Sequence, residues 1–244
     1  MTAEQHEAVE ANGPTRSGSL VPTTNGTRLS QNEIEQLCLK AARGAGMSWG
    51  LAEEAGFAAA WLATRGLDGP SALLAQLRVG QGRSWREICP MIAPGRFRAA
   101  DGGCLCPIAL GAALCDHARL PEMSLAETAV RVGPVDHPVL LLPFLADFAR
   151  TRRDGVRLVW ASGAVLLTAE GGMYGDAAAL EQETRLDAAL EVEGPVPDDT
   201  STEWEPLMVS AETLGELNSF ALRTTVPTSE ASRAGAGATI GDDD

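Results

Sequence analysis

The sequence predicts an α+β fold, in which a helical N-terminal half packs on a small, mainly antiparallel sheet. Two observations carry that expectation. Segments with apolar residues at helical spacing crowd the chain before residue 118, and short β-like runs bounded by turn residues follow. At 244 residues with 45% hydrophobic content, the chain is long enough to bury a sizeable core.

The elements follow in order. Residues 1–28 are rich in Thr, Gly, Asn, Pro and Glu without an apolar period, and read as a flexible extension. A single domain is expected over residues 29–241, with 242–244 as an acidic end. At 29–46, "LSQNEIEQLCLKAARGAG" opens with a capping box from Ser30 to Glu33, continues with Ile34, Leu37, Cys38, Ala41 and Ala42, and stops at Gly44 and Gly46. Ser48 caps a second helix whose Ala52, Ala55, Ala59, Leu62 and Ala63 form a thin apolar stripe of small residues, suited to close antiparallel packing on the first. "PSALLAQLRVG" reads as a third helix with Pro70 in its first turn. The stretch from Gly80 to Gly103 reads as loop, punctuated by Pro90, Pro94 and several glycines. "CPIALGAALCDHARL" has the spacing of a buried helix starting at Pro107. Beyond it, "TAVRVG", "VRLVWAS", "AVLLTAE" and "LDAALEVEG" read as strands. "HPVLLLPFLADFARTRR" is a helix between the first two, and "RLVWASGAVLLTA" is a hairpin turning at Ser162 and Gly163. "AETLGELNSFALRT" is the last helix, and the tail "RTTVPTSEASRAGAGATIGDDD" follows.

Charge narrows the partners. With 19 Lys and Arg against 33 Asp and Glu, the net charge of -14 repels nucleic acid and anionic membrane surfaces. A small anionic molecule remains compatible where a few arginines reverse the local potential. No apolar run reaches the roughly 18 residues of a membrane span. The first residues lack the basic and apolar regions of a secretory signal, which predicts a cytoplasmic protein with its five cysteines reduced.

Three segments, "LSQNEIEQLCLKAARGAGMSWGLAEEAG" at 29–56, "GGCLCPIALGAALCDHA" at 102–118 and the tail "RTTVPTSEASRAGAGATIGDDD", resemble the bacterial family of unknown function DUF3726. The resemblance brings no established reaction. That family's tail carries a tyrosine where this chain has Thr225, so no role resting on a phenol carries over. "ATRGLDGPSALLAQL" is also similar to the start of the NAD-dependent 2-hydroxy acid dehydrogenases that lack a Rossmann fold. There a histidine follows the turn, and here Pro70 stands in its place. No Gly-x-Gly-x-x-Gly or Walker-type loop occurs, and the cofactor is left unassigned.

Candidate chemistry gathers in three places. Cys106 precedes the helix start at Pro107, where free amides and the dipole favour a thiolate nucleophile; a buried core cysteine satisfies the same residue. Cys104, Cys106, Cys115 and His117 lack the paired spacing of zinc sites, so no metal is assigned. Asp116 and His117 at the end of that helix are acid-base candidates, although the dipole alone accounts for a histidine there. His137, before Pro138, reads as a turn residue. Glu53 and Glu54 point about 100° apart, so one of them at most faces a pocket, and either pairs with Arg43 across the short loop. In the tail, Arg223 and Arg233 flank a hydroxyl-rich stretch that would hold an anion with Ser229 and Ser232, while Asp242, Asp243 and Asp244 suit a hard cation.

The expectation is a small-molecule metabolic enzyme in which Cys106, Asp116 or Glu54 attacks or moves a proton and Arg43, Arg223, Ser229, Ser232 and Arg233 hold an anionic substrate. The alternative is a non-catalytic subunit that docks on an enzyme or on a second copy of the chain.

Overall fold

The computed structural model describes residues 26–93, 95–100, 102–118, 129–194 and 208–224. It is an α+β protein with its helices stacked against a mainly antiparallel sheet. A short strand, β1 (Gly26–Arg28), precedes Leu29, where the sequence placed the start of structure. It pairs antiparallel with β9 (Met208–Ser210). Helix α1 (Gln31–Gly44) starts on the expected capping box, with the Ser30 backbone N–H donating to Glu33 Oε2 at 2.8 Å. Ile34, Cys38, Ala41 and Ala42 are buried as the spacing selects, while Leu37, from the same pattern, is only partly buried.

Helix α2 (Trp49–Ala63) is capped by Ser48, but it is not a stripe. Ala58 and Ala60 are as buried as Ala52, Ala55 and Ala59, so the helix is enclosed nearly all round. Its neighbours are α1, α3 (Gly69–Gly80), α5 (Pro107–His117) and α6 (Leu142–Arg152). Helix α8 (Ala211–Ala221) lies on α1, ending in a 3-10 turn at Leu222–Thr224.

The loop expected between Gly80 and Gly103 is instead largely structured. It holds a single turn, α4 (Trp85–Ile88), and a hairpin of β2 (Pro90–Ala93) and β3 (Arg96–Ala99). Pro90 is the first residue of an edge strand, where a missing N–H breaks no ladder bond, so its punctuating value was misleading. β3 runs parallel to β4 (Val130–Asp136), the one parallel pair in the sheet order β2-β3-β4-β8-β5-β6-β7. β5 (Gly155–Trp160), β6 (Gly163–Leu167) and β8 (Arg185–Gly194) match the predicted runs. Trp160 pairs with Gly163, which places the turn at Ala161 and Ser162, one residue earlier than expected. β7 (Met173–Gly175) and α7 (Ala177–Glu181) had no sequence signal long enough to register. In the segment from His137, a 3-10 turn at Pro138–Leu141 leads into α6.

Phe144 of α6 packs against both α2 and α5. Its ring meets Phe57 of α2 edge-on, with centroids 6.3 Å apart at 70°. It also lies over Gly111 of α5, where an added Cβ would stand 2.2 Å from Cδ2 of the ring. Gly111→Ala is therefore expected to destabilise the fold by about 1–3 kcal/mol through overpacking, read as a lower denaturant midpoint. An unchanged midpoint would mean that α5 and α6 do not close on each other as described.

Candidate functional site

A cavity of about 420 Å³ lies where the α1–α2 turn, the C-terminal half of α3, α4 and the start of α5 meet. Met47, Leu51, Leu77 and Ile88 give it apolar walls. Arg43, Gln76, Arg83 and Cys106 supply its polar groups. Each polar group arrives for a local reason. Arg43 is in the last turn of α1, where the dipole favours a cation, and its Nη1 donates to the Met47 carbonyl while the guanidinium lies 5.6 Å from the Trp49 ring centroid. The ion pair expected between Arg43 and Glu53 or Glu54 does not form; Glu53 instead accepts from Trp49 Nε1 at 2.7 Å.

Arg83 is positioned from behind by the protein. Its Nη2 donates to the Cys104 carbonyl at 3.1 Å and its Nη1 faces Asp136 Oδ2 at 3.7 Å. Asp136, at the end of β4, is buried and also accepts from Arg185 Nε at 3.0 Å. One carboxylate between two guanidiniums leaves a local excess of one positive charge. Arg83 has five N–H donors and spends only part of them on these partners.

Gln76 is 1% exposed on α3, flanked by the buried Leu73, Leu74 and Leu77. Its Oε1 is buried without a hydrogen-bond partner among the described residues. Leaving such a group unpaired costs about 1–3 kcal/mol.

Cys106 is the residue just before the first turn of α5, as expected, and is buried. The thiolate does not follow. Burial pushes its pKa up and outweighs the backbone amides of Ala109 and Ile108 and the Arg83 charge, all of which act in the other direction. The thiol is therefore protonated at neutral pH. All five cysteines are free thiols, and burial likewise raises Cys115, to about 12.

The other candidates are divided among different surfaces. Glu54 and Asp116 do come together, with Glu53, Cys89 and His117, but in a neighbouring cleft that shares Leu51 with the cavity and runs along Ala109, Ala112 and Ala113 of α5. Burial, followed by the charges of Asp116, Asp147 and Glu53, raises the Glu54 pKa. His117 Nδ1 is 2.8 Å from the Ala113 carbonyl, and His137 occupies a left-handed turn as its sequence context suggested. Among the described residues no group of three His, Cys, Asp or Glu side chains is placed to hold a metal ion. Arg223 stacks 4.3 Å over the Phe220 ring and lines a third, open cleft with Lys40, Trp49 and Leu222. Arg43 forms part of both this cleft and the cavity. Ser229, Ser232 and Arg233 lie outside the described residues, as do Asp242, Asp243 and Asp244.

Arg83 and Gln76 were absent from the sequence-derived set. Gln76 had a usable signal, since it stands three residues after Leu73 on the face that α3 buries. Arg83 had none, because its importance comes from Asp136, 53 positions away by residue number.

The molecule is thus an α+β protein with an arginine-lined, largely apolar cavity at a helix junction. Residues 29–104 match the model of a family described as "Protein of unknown function (DUF3726)", and the chain resembles that family over this span. The match takes in the first of the three resembling segments whole and the second only as far as Cys104. No curated protein and no solved structure matches the chain. No helix among the described residues is long and apolar enough to cross a membrane.

The raised Glu54 pKa gives a pH test. A carboxyl whose folded pKa lies above its ordinary value of 4.5 favours the fold below that value and loses the advantage as pH rises through the folded pKa. Glu54→Gln is expected to be more stable than the parent at pH 7, and the gap should close below about pH 4, followed by thermal melts across pH. A gap that stays constant with pH would rule out titration of Glu54 as its source.

Proposed function

We propose that the protein is a cytoplasmic small-molecule metabolic enzyme whose substrate is an anion with an apolar body, bound in the cavity beside Cys106. The observation that carries this reading is the convergence of Arg43 and Arg83 on otherwise apolar walls, in a chain whose net charge is -14. The global field gives an anion no reason to approach, so two arginines lining one cavity are a local exception that suits a carboxylate or phosphate. A volume of about 420 Å³ is within the range of small-ligand sites. Chemistry at this point falls to Cys106. Its thiol enters as an S–H group beside the first amides of α5. Glu54 and Asp116 line the neighbouring cleft rather than this cavity. The dehydrogenase reading gains no support, since Gly69 and Pro70 begin α3 at the point where it requires a histidine.

The test is calorimetric titration of the full chain with linear carboxylates and phosphate esters of four to eight carbons. Binding of at least one is expected, weakened at least tenfold in Arg83→Ala and in Arg43→Ala, as the loss of a charge-assisted hydrogen bond requires. Cys106→Ala should bind as the parent does yet abolish turnover of that ligand. Equal affinity in the parent and both arginine variants would remove the basis of the reading.

A second reading, a non-catalytic subunit, has its own observation. Trp49 and Leu222 are 62% and 66% exposed at the open cleft that also holds Lys40 and Arg223, an apolar and cationic surface of the kind that docks on another chain. On this reading the protein sediments as a species larger than 25.5 kDa and Trp49→Ser reduces it to the monomer mass; a monomer at every concentration, alone and in extracts, argues against it.

A further inference from the structure

The cavity contains one polar group whose position the packing of the protein does not explain. Arg43 and Arg83 are each held by protein carbonyls, whereas Gln76 Oε1 accepts from nothing among the described residues. Gln76 stands on the buried face of α3, next to Leu77, which also lines the cavity. An aliphatic side chain there would continue the apolar wall and would leave no acceptor unpaired. A buried amide at this point fits a donor that comes with a ligand.

We infer that Gln76 determines specificity: its amide oxygen accepts a hydrogen bond from a hydroxyl or amine on the body of the bound anion, so that the ligand class is hydroxy- or amino-carboxylates rather than plain alkyl anions. The inference rests on the binding reading proposed above. In that arrangement the guanidiniums of Arg43 and Arg83 take the anionic end, and Leu51, Leu77 and Ile88 cover the carbon chain. Gln76 then reads the one remaining polar substituent. Selection of this kind favours the ligand with the donor, because only that ligand gives the already unpaired oxygen a partner on binding. A hydroxyl is the best-suited group, since it both donates and accepts and so pairs with either end of a glutamine amide.

The experiment compares hexanoate with 2-, 3- and 6-hydroxyhexanoate and 2-aminohexanoate by calorimetric titration of the full chain. At least one substituted acid is expected to bind about tenfold or more tightly than hexanoate, a difference of about 1.4 kcal/mol. Gln76→Met should reduce that preference to within about twofold, leave hexanoate affinity unchanged and keep or raise the melting temperature, because it removes an unpaired acceptor. A lower melting temperature in Gln76→Met would assign the amide a structural role and overturn the inference. Gln76→Glu, close in shape, gives a second check, and is expected to weaken hexanoate and the hydroxyhexanoates through charge repulsion. If hexanoate binds through Arg83 but no substituted acid is preferred, the anion site stands and the role of Gln76 falls. If nothing in the panel binds at millimolar concentration, both fall together.

Discussion

The structure depends on the closeness with which α2 can be approached. Six of its fifteen residues are alanine and two are glycine, and the helix is buried against neighbours on several sides. At Gly56 an added Cβ would stand 2.7 Å from the Glu35 carbonyl oxygen of α1, and at Gly69 one would stand 2.2 Å from the Ala59 carbonyl oxygen of α2 itself. Such distances mean that helix backbones, not side-chain tips, set the spacing, and a spacing set by backbones has little slack. Short side chains bury less apolar area each than Leu or Phe, so their stabilising effect comes from dense contact over many neighbours. The bulk is supplied from the sheet side. Phe144 and Phe148 of α6, with Leu158 and Val165 of the sheet, fill the layer beneath.

That stacking also creates the cavity. α1 and α2 are joined by a short turn at Ala45–Ser48, α3 leaves α2 through Gly69, and α5 starts directly beneath. Four chain segments converge at one corner, and their ends bring backbone carbonyls and helix termini with them. Arg43 and Arg83 are tied to such carbonyls, which fixes two flexible side chains at little further entropic loss on binding. Asp136 completes the corner from the sheet. Its burial would be costly alone, and the two arginines on either side offset that cost.

Helix boundaries were legible because they are written locally. Ser30 with Glu33, Ser48, Pro70 and Pro107 each satisfy or avoid the free amides of a first turn, and each helix starts where they stand. The hairpin at Pro90–Ala99 was illegible for the converse reason. Its strands are four residues long, half exposed, and hold together through pairing with β4, some 35 positions on. The site shows the same division. Cys106 was found by its place at a helix start and Arg43 by its charge beside the α1–α2 turn, and both line one cavity. Glu54 and Asp116 were grouped with them on chemical type alone, and they line a neighbouring cleft instead.

By itself the sequence determined the fold class, the starts of the principal helices and the strongly negative net charge, since these follow from period, caps and composition. Only the tertiary structure decided the protonation of Cys106 and the pairing of Arg83 with Asp136. It also decided the isolation of Gln76 Oε1. A local motif sets which groups lie near along the chain, such as the amides of Ile108 and Ala109 that favour a Cys106 thiolate. Burial depends on everything that packs around the motif, and here it outweighs them.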